Sequence, residues 1–263
     1  MYRYTDTIVV LSPQYIDEFE ELIGISSSSK IVSIPNPLTF SNIEVRTMDQ
    51  KENCILFVGR LSYPEKRVDR LLYIWHKIQN RLPGWKLELV GDGKERRDLE
   101  ILAEKLGLNN VFFHGYQSPK NVRRFMEEAD IFLFTSNYLE GWGAVLNESM
   151  NSACAVVAGH GIGAVPFLIQ DGKNGLVYKN GRYEEFRDEV LRLAKDEKLR
   201  QELGRQAYET IIREWNPREA ANRLYTFCEG LLEGQVIPQE SGPLSIAPVI
   251  SPNKGYQYTK REV

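Results

Sequence analysis

The sequence predicts an α/β protein built on a doubly wound parallel sheet that covers about residues 53–213. Short, β-rich apolar runs alternate with longer segments in which apolar residues recur at helical spacing, as in consecutive βαβ units. Hydrophobic residues make up 42% of the 263-residue chain, which is enough for one sizeable core covered on both faces of the sheet. The predicted strands are Ile55–Val58, Lys86–Val90, Val111–Phe113, Ile131–Phe134, Ala155–Ala158 and Leu176–Tyr178.

Helices are predicted between these strands. One apolar stripe consists of Val68, Leu71, Leu72, Trp75 and Ile78. A second stripe consists of Val122, Phe125, Met126 and Ala129. Because each stripe lies on one face of a helix, both segments are expected to pack on the sheet.

The segment before the sheet is predicted as a separate unit, residues 1–37, followed by a linker over residues 38–52. Thr7–Leu11 is typical of a strand. Pro13–Ile23 is typical of a helix, because Ser12 is a favourable N-cap and Pro13 suits the first helical position. Pro35-Asn36-Pro37 predicts a stiff turn at the end of this unit.

After the sheet, residues 214–232 are predicted to form a separate C-terminal helix. Trp215-Asn216-Pro217 interrupts the helical pattern, and Arg218–Leu232 resumes it. Residues 233–263 contain several prolines and little apolar periodicity, so they are predicted to be disordered.

Composition excludes several classes of protein. The formal net charge of −3 and the pI of about 5.8 give no electrostatic footprint for nucleic acid. Cys54, Cys154 and Cys228 have no metal-binding or redox spacing, which favours reduced thiols in a cytosolic protein. The apolar run Ile8–Leu11 is too short for a signal peptide or a membrane span. We therefore expect a cytoplasmic protein, and a peripheral contact with the inner face of the membrane stays open.

Polar residues and glycines follow five of the predicted strands, where ligands bind in open parallel sheets. A glycine after a strand is commonly only turn chemistry, so the signal lies in five such features on one edge. They are Gly59-Arg60-Leu61-Ser62, Gly91-Asp92-Gly93, His114-Gly115-Tyr116-Gln117, Glu140-Gly141-Trp142-Gly143 and Gly159-His160-Gly161. For His114 and His160 a functional and a structural role remain equally open.

Arg60 and Lys66 are two cations near one another on that edge and form a candidate anion site. An arginine fork grips phosphate oxygens in a bidentate manner, and a lysine adds a point charge. The alternative is that both are surface cations paired with Glu65 or Asp69.

Glu140 and Glu148 lie eight positions apart around a Gly-Trp-Gly stretch. A helix predicted over Ala144–Met150 would offer main-chain N–H groups to an anion, and Gly143 would allow close approach. Glu148 would lie one turn into that helix and reach the same ligand. A simple preference for acids at a helix start explains Glu148 only in part. No Asp-x-Asp and no His/Cys cluster is found, so no metal site is expected.

Together these motifs resemble the group 1 (family 4) glycosyltransferases of GT-B fold, over about residues 7–232. The E-x7-E element from Glu140 to Glu148 is the signature of that family. The stretches Gly163-Ala164-Val165-Pro166 and Asp171–Leu176 are similar to its pattern as well, whereas Phe167 stands where many members carry a glutamate. The other matching elements are Val58-Gly59-Arg60-Leu61, Lys66, Val90-Gly91-Asp92-Gly93 and His114-Gly115-Tyr116.

The resemblance implies a Rossmann-like donor domain that transfers a sugar from a nucleotide-diphosphate donor with retention, without metal or cofactor. It implies catalytic roles for Glu140, Arg60 and Lys66, the two cations holding the diphosphate. It implies that Glu148 binds the ribose and that the main chain near Tyr116 and Gln117 meets the base. The implied donor contacts also include Gly59, Gly91, Asp92, Gly141, Trp142, Gly143, Ala144 and Val145.

The resemblance further implies that most of the N-terminal, acceptor-binding domain of the family has no counterpart here. Residues 1–37 resemble only its last strand, helix, strand and hinge, and Arg218–Leu232 resembles the helix that crosses back to support it. The implied partners are a nucleotide sugar, a glycan or lipid-linked acceptor, and a separately encoded acceptor domain. The alternatives are a donor-binding half-module, an inactive remnant and an unrelated nucleotide-binding α/β protein, such as a sugar epimerase relative. The E-x7-E spacing argues against the unrelated protein.

Overall fold

A computed structural model describes residues 8–10, 31–33, 51–235 and 239–245 of the chain. Two short parallel strands, β1 (Ile8–Val10) and β2 (Ile31–Ser33), form a sheet of their own. The larger sheet has six parallel strands, which confirms the predicted α/β doubly wound fold. Its strands are β3 (Glu52–Val58), β4 (Lys86–Val90), β5 (Val111–Gly115), β6 (Ala129–Phe134), β7 (Ala155–Gly159) and β8 (Leu176–Tyr178).

Helices connect these strands as the apolar stripes predict. The connections contain α1 (Tyr63–Lys66), α2 (Val68–Ile78), a 3-10 turn (Gln79–Arg81), α3 (Arg96–Lys105), α4 (Pro119–Glu128), α5 (Val145–Asn151) and α6 (Val165–Leu168). After β8 follow α7 (Tyr183–Lys195), α8 (Glu197–Arg213) and α9 (Pro217–Leu232). The predicted helix at Ala144–Met150 is thus one residue later in the structure, because Ala144 is the residue that caps it.

The strand order is β5-β4-β3-β6-β7-β8, so the chain winds outward from β3 in one direction and then returns to β6 to wind in the other. β3 and β6 are hydrogen-bonded neighbours, with Ile55 opposite Ile131 and Leu56 opposite Phe132. The connections leaving these two strands diverge to opposite sides. They open a crevice at the carboxyl edge, where ligands bind in folds of this topology.

The core lies on both faces of the sheet, since successive side chains of a strand point to opposite faces. On β6, Ile131 and Leu133 pack with α2 and α7, whereas Phe132 and Phe134 pack with α5 and α8. Every residue of β6 and β7 is buried, as is typical of parallel strands covered by helices on both sides. This rigid support fixes the ends of β3 and β6.

Several predictions fall partly or wholly outside the described residues. The strand predicted at Thr7–Leu11 is confirmed at Ile8–Val10. The helix at Pro13–Ile23, the turn at residues 35–37 and residues 38–50 of the linker predicted at 38–52 lie outside. The last residue of that linker, Glu52, belongs to β3. The helix predicted at Arg218–Leu232 is confirmed, with Pro217 as its first residue and Asn216 as its N-cap.

Part of the segment predicted to be disordered is structured. Residues 239–245 form a turn closed by a bridge between Gln239 and Ser245. Arg223 on α9 donates from Nη1 to the carbonyl of Pro243 at 3.3 Å, and Ser241 contacts the carboxylate of Glu214. Polar contacts to and beside α9 hold this segment, so the absence of an apolar pattern did not indicate that it is structured.

The cysteines differ in their surroundings. Cys54 and Cys154 are buried, as expected of core thiols, and burial raises the pKa of both. Cys228 is exposed on α9, because no residue of that helix is buried. In the part of the chain that the structure describes, no helix is both long and apolar enough to cross a membrane.

Candidate active site

The candidate site lies at the carboxyl ends of β3 and β6, where the topology opens its crevice. The connection after β3 carries Gly59, Arg60 and Lys66. The connection after β6 carries Glu140 and Glu148. Two groups of predicted site residues, far apart in the chain, therefore meet at one place in the fold.

The ammonium of Lys66 and the carboxylate of Glu140 are in direct contact. The Glu140 carboxylate also accepts a hydrogen bond from Ser136 Oγ at 3.1 Å. Only 12% of the Lys66 side chain and 13% of the Glu140 side chain are exposed. Because little water screens the pair, its charges interact strongly with each other and with any ligand beside them. The sequence placed both residues on this edge but did not predict their contact.

Arg60 lies at the open side of the pair, with 67% of its side chain exposed. Its Nη2 is 3.9 Å from Glu65 Oε2, and Lys66 Nζ is 3.5 Å from Glu65 Oε1. The alternative of pairing with Glu65 is therefore observed for both cations. Asp69 instead faces Arg67, at 3.5 Å from its Nε.

The glycines after β3 and β4 allow the two strand ends to approach closely. Gly59 donates from its main-chain N to the carbonyl of Val90 at 3.0 Å, and Leu61 does the same to Asp92. Gly91 has a φ of +135°, and a Cβ there would lie 1.9 Å from the Gly59 oxygen. A side chain at position 91 would separate the two ends, so Gly91 has a structural role. Donor contacts of Gly59, Gly91 and Asp92 remain predictions.

The end of β5 presents an aromatic side chain to solvent. Tyr116 is 79% exposed, whereas Gln117 binds the carbonyl of His114 through Nε2 at 3.0 Å. His114 contacts Glu88, and its ring centroid is 4.5 Å from that of Phe125. A structural role for His114 is thus observed. Tyr116 lies two strands from β3, roughly 10 Å away at ordinary strand spacing.

The Trp142 side chain is not available to a ligand. It is buried, and its indole Nε1 donates to Asn147 Oδ1 at 2.9 Å. Its ring lies 5.4 Å from Phe167 and 6.3 Å from Trp215, centroid to centroid. This aromatic cluster explains the apolar residue at position 167. Only the main chain of Trp142 can serve the donor contact predicted for it.

Gly143 turns the chain from the Glu140 loop into α5. Its φ is +81°, and a Cβ there would lie 2.3 Å from Phe134 Cζ and 3.3 Å from Glu140 Cγ. The glycine is thus required by the packing of the β6 end as well as by its backbone conformation. Ala144 is exposed, while Gly141, Val145 and Glu148 are half-buried at the same edge.

Two asparagines that the sequence did not single out hold the loops of this edge together. The Asn180 side chain accepts from Gly161 N at 2.7 Å and donates to the Ser136 carbonyl at 3.1 Å. Its main-chain N donates to His160 Nδ1 at 3.0 Å, which leaves the ring proton on Nε2. Asn137 binds the connection after β3. For Asn137, the sequence signal is a polar Thr-Ser-Asn directly after the apolar run Ile131–Phe134.

Within the described residues, no group of three or more His, Cys, Asp or Glu side chains could hold a metal ion. The site offers instead two cations (Arg60 and Lys66), three carboxylates (Glu65, Glu140 and Glu148) and main-chain groups. That donor set suits an anionic ligand with hydroxyl groups.

Comparison with known proteins assigns the family. A model of the glycosyl transferases group 1 family matches residues 40–210, more than half of the chain. The chain belongs to the group 1 glycosyltransferases. The matched residues include every predicted site residue of this group 1 glycosyltransferase.

Two curated relatives have names that place them in the synthesis of bacterial polysaccharides. The glycosyltransferase LpsE of lipopolysaccharide core biosynthesis in Rhizobium meliloti is 36% identical over 146 residues, 55% of this chain and 42% of LpsE. The amylovoran biosynthesis glycosyltransferase AmsD of Erwinia amylovora is 31% identical over 176 residues, 64% of this chain and 48% of AmsD. This glycosyltransferase chain therefore spans less than half the length of either relative.

Solved structures share the fold. TarM of S. aureus, crystallised as a mutant with Fondaparinux, alpha-GlcNAc-glycerol and UDP, has a TM-score of 0.71 at 24% identity, over 84% of this chain and 43% of that one. The C-terminal domain of the group 1 glycosyl transferase LpcC from Francisella tularensis has a TM-score of 0.56 at 22% identity, over 62% of this chain and 86% of that one. The described sheet thus has the architecture of a GT-B glycosyltransferase domain.

Proposed function

We propose that this chain binds the nucleoside diphosphate of a sugar donor at the carboxyl ends of β3 and β6 and serves the transfer of that sugar with retention of configuration. The observation that carries the proposal is the Lys66–Glu140 pair at the switch point of the sheet. A cation and a carboxylate held side by side match a donor whose diphosphate is anionic and whose sugar presents hydroxyl groups.

The diphosphate is expected to interact with Lys66 and Arg60. When the bond between the anomeric carbon and the diphosphate breaks, its electron pair goes to the departing oxygen, which gains negative charge. The Lys66 side chain is largely buried, so it stabilises that charge strongly. Bound metal ions serve the same purpose in other enzymes. Arg60 has an exposed side chain and can close on the outer phosphate.

The rest of the donor is expected to extend along the same edge. Glu148, on the first turn of α5, is the proposed partner of the ribose hydroxyls. Exposed Tyr116 and the main chain beside it are the proposed partners of the base. Glu140 is proposed to accept from a hydroxyl of the transferred sugar while the diphosphate engages Lys66.

Two fold neighbours support the ligand class. The structure of TarM contains UDP, and that of HepE from Anabaena contains UDP and glucose. Because both are less than 25% identical to this chain, they support a nucleoside diphosphate but not a particular base or sugar. Retention rests on the family resemblance and would be checked by the anomeric coupling constant of the product.

The acceptor is proposed to be a growing glycan or a lipid-linked glycan, as the names of the polysaccharide relatives suggest. For such an acceptor we propose a reaction in the cytoplasm, with a peripheral contact at the inner face of the membrane. The second candidate function is a donor-binding half-module that needs a separate acceptor domain. Its support is the likeness of the described sheet to the C-terminal domain of LpcC, which was solved as a separate domain.

Calorimetry with UDP and GDP tests the donor site directly. Wild-type protein should bind at least one of the two, and Lys66→Met should weaken that binding roughly tenfold or more, the loss expected for one charge-assisted hydrogen bond. Lys173→Met is the matched control, because Lys173 precedes β8 and so lies at the amino edge. Failure of wild type to bind either diphosphate, or equal binding by Lys66→Met, would refute the proposal.

Incubation with labelled nucleotide sugars and an acceptor extract separates the two candidate functions. Glycosidic product from the chain alone establishes the enzyme. Donor binding without product, restored by adding a separate acceptor domain, establishes the half-module.

A further inference from the structure

We propose that Asn137 is the positioning residue of this site, holding Lys66 against Glu140 by bonding to both of the segments that carry them. The inference deepens the function proposed above and concerns the geometry of the same site. It assigns a role to a residue outside the E-x7-E element.

Lys66 is the last residue of α1, a helix of four residues. A helix this short is not stable by itself, because the entropy lost in forming its first turn outweighs the hydrogen bond that one turn gains. The side chain of its N-cap, Ser62, makes no capping hydrogen bond, and Arg67 ends it in the left-handed region with a φ of +52°. The position of Lys66 therefore depends on contacts from elsewhere in the fold.

Those contacts come from the loop after β6. The last carbonyls of a helix have no partner within it. Here Asn137 Nδ2 donates to the Pro64 carbonyl at 2.6 Å, and Asn137 N donates to the Glu65 carbonyl at 3.0 Å. Thr135 Oγ1 donates to the Lys66 carbonyl at 2.6 Å. Three consecutive carbonyls of α1 are thus bound by two residues of one loop.

Asn137 also shapes the segment that leads to Glu140. Its Oδ1 accepts from Leu139 N at 2.9 Å, and its carbonyl accepts from Glu140 N at 3.0 Å. Asn137 thus binds α1 through its N–H groups and the Glu140 turn through its oxygens.

The environment makes these bonds strong. Asn137 is 2% exposed, so each of its hydrogen bonds is shielded from competing water. Removing the side chain leaves the Pro64 carbonyl and the Leu139 N–H without partners. The bonds from Asn137 N to Glu65 and from Thr135 Oγ1 to Lys66 then hold α1 less firmly beside Glu140. We expect Lys66 to move away from Glu140 while the sheet stays folded.

Chemical labelling of Lys66 reads this position without any donor. In wild type, Lys66 should react slowly with an acetylating reagent, because its ammonium is largely buried and paired with Glu140. Asn137→Ala should raise the rate about tenfold, the effect of losing roughly one net buried hydrogen bond. Peptide mass spectrometry follows Lys66, with exposed Lys173 as the internal reference. Glu140→Gln shows the reactivity of a Lys66 that has lost the charge of Glu140 and keeps that of Glu65.

Asn174→Ala is the matched control. Asn174 is buried as well, donating to the Leu168 carbonyl at 2.9 Å and accepting from Gln170 N at 2.7 Å, but it lies between α6 and β8. The Asn174→Ala substitution should lower the free energy of unfolding and leave Lys66 labelling at the wild-type rate. If folded Asn137→Ala shows that same pattern, Asn137 is merely structural and the proposal is wrong.

A milder variant covers a failure of Asn137→Ala to fold. Asn137→Ser keeps the main-chain bonds and removes the amide, so it should raise the rate of Lys66 labelling in the same direction. An unchanged rate in a folded Asn137→Ser protein would overturn the proposal as well.

Binding of UDP or GDP adds a second readout. Asn137→Ala should weaken binding in the wild-type background and have little further effect in Lys66→Met, since the two residues act through one group. Absence of binding by wild type would refute the proposed function but leave the labelling result to decide the role of Asn137.

Discussion

Arg200 on α8 and Asp130 on β6 form a buried ion pair, with Arg200 Nε donating to Asp130 Oδ1 at 3.0 Å. Arg200 Nη1 also donates to the Leu193 carbonyl at 2.8 Å, and its guanidinium carbon lies 5.0 Å from the ring centroid of Trp85. The pair joins the helical layer to the strand whose carboxyl end carries the candidate site.

Arg200→Met should destabilise the protein by about 3–5 kcal/mol, because Asp130 would be left as an uncompensated buried charge. Chemical denaturation measures the change in the free energy of unfolding. Arg205→Met on the same helix is the control. Arg205 pairs with Glu202 at the surface, so its removal should leave stability nearly unchanged. A similar decrease in the free energy of unfolding in both variants would show that the buried Arg200–Asp130 pair stabilises the fold no more than a surface pair does.

Gly143→Ala should be clearly more destabilising than Gly172→Ala. Both glycines have positive φ, +81° and +76°, so alanine should cost about 1–2 kcal/mol of backbone strain at each. Only at Gly143 would the added Cβ also meet Phe134, at 2.3 Å, which should add about 1–3 kcal/mol of overpacking. Thermal or denaturant unfolding of the two variants isolates that difference. Equal destabilisation would mean that Phe134 at the end of β6 can move aside for the added methyl group without lowering the free energy of unfolding.

The sequence predicted the sheet well because its strands are buried on both faces and read as continuous apolar runs. Lys86–Val90 and Leu176–Tyr178 have the predicted bounds, and Ile131–Phe134 is extended only by Ala129 and Asp130. Element ends were less accurate where a cap decides them, as at Ala144. The turn at residues 239–245 was missed because side chains of a distant helix hold it.

The sequence predicted which edge of the sheet carries the site, but not which side chains of that edge are in contact. Parallel strands bring their carboxyl ends together, so Arg60, Lys66 and Glu140 could be assigned to one edge from spacing alone. The contact between Lys66 and Glu140 depends on β3 and β6 being neighbours, which no local pattern encodes. Asn137 and Asn180 read as ordinary loop residues, because an asparagine favours turns whether or not it bridges two of them.

The place of the Trp142 side chain was not predicted. The resemblance implied a donor contact by its main chain, which stays a prediction, and the indole packs in the core. Its partners Phe167 and Trp215 come from segments far along the chain, so their meeting is a tertiary effect.

Glu148→Gln should weaken binding of UDP or GDP to the donor site, because a neutral amide accepts hydrogen bonds from ribose hydroxyls less strongly than a carboxylate does. The expected loss is roughly tenfold, as for one hydrogen bond to a charged group. Calorimetry gives the affinity, and circular dichroism checks that the fold is intact. Glu104→Gln, an exposed change on α3, is the control. Unchanged affinity in Glu148→Gln would exclude a ribose contact by Glu148.

His160 should make the folded protein sensitive to mild acid. Burial lowers the pKa of His160 below its usual value of 6.5, with Lys179 acting in the same direction. In the unfolded chain the ring takes up a proton as the pH falls through about 6.5, whereas in the folded protein it resists protonation. The unfolded state then binds more protons. Stability attributable to His160 is therefore full above pH 6.5 and decreases from there down to the lowered pKa.

The effect is isolated by comparing wild type with His160→Gln over that range. Protonation of Nδ1 would also break the hydrogen bond from Asn180 N, so acid should loosen the loop that reaches Ser136. We expect the unfolding free energy of wild type to decrease more steeply between pH 7 and pH 5 than that of the variant. If the slopes of wild type and His160→Gln are the same, His160 does not resist protonation in the fold.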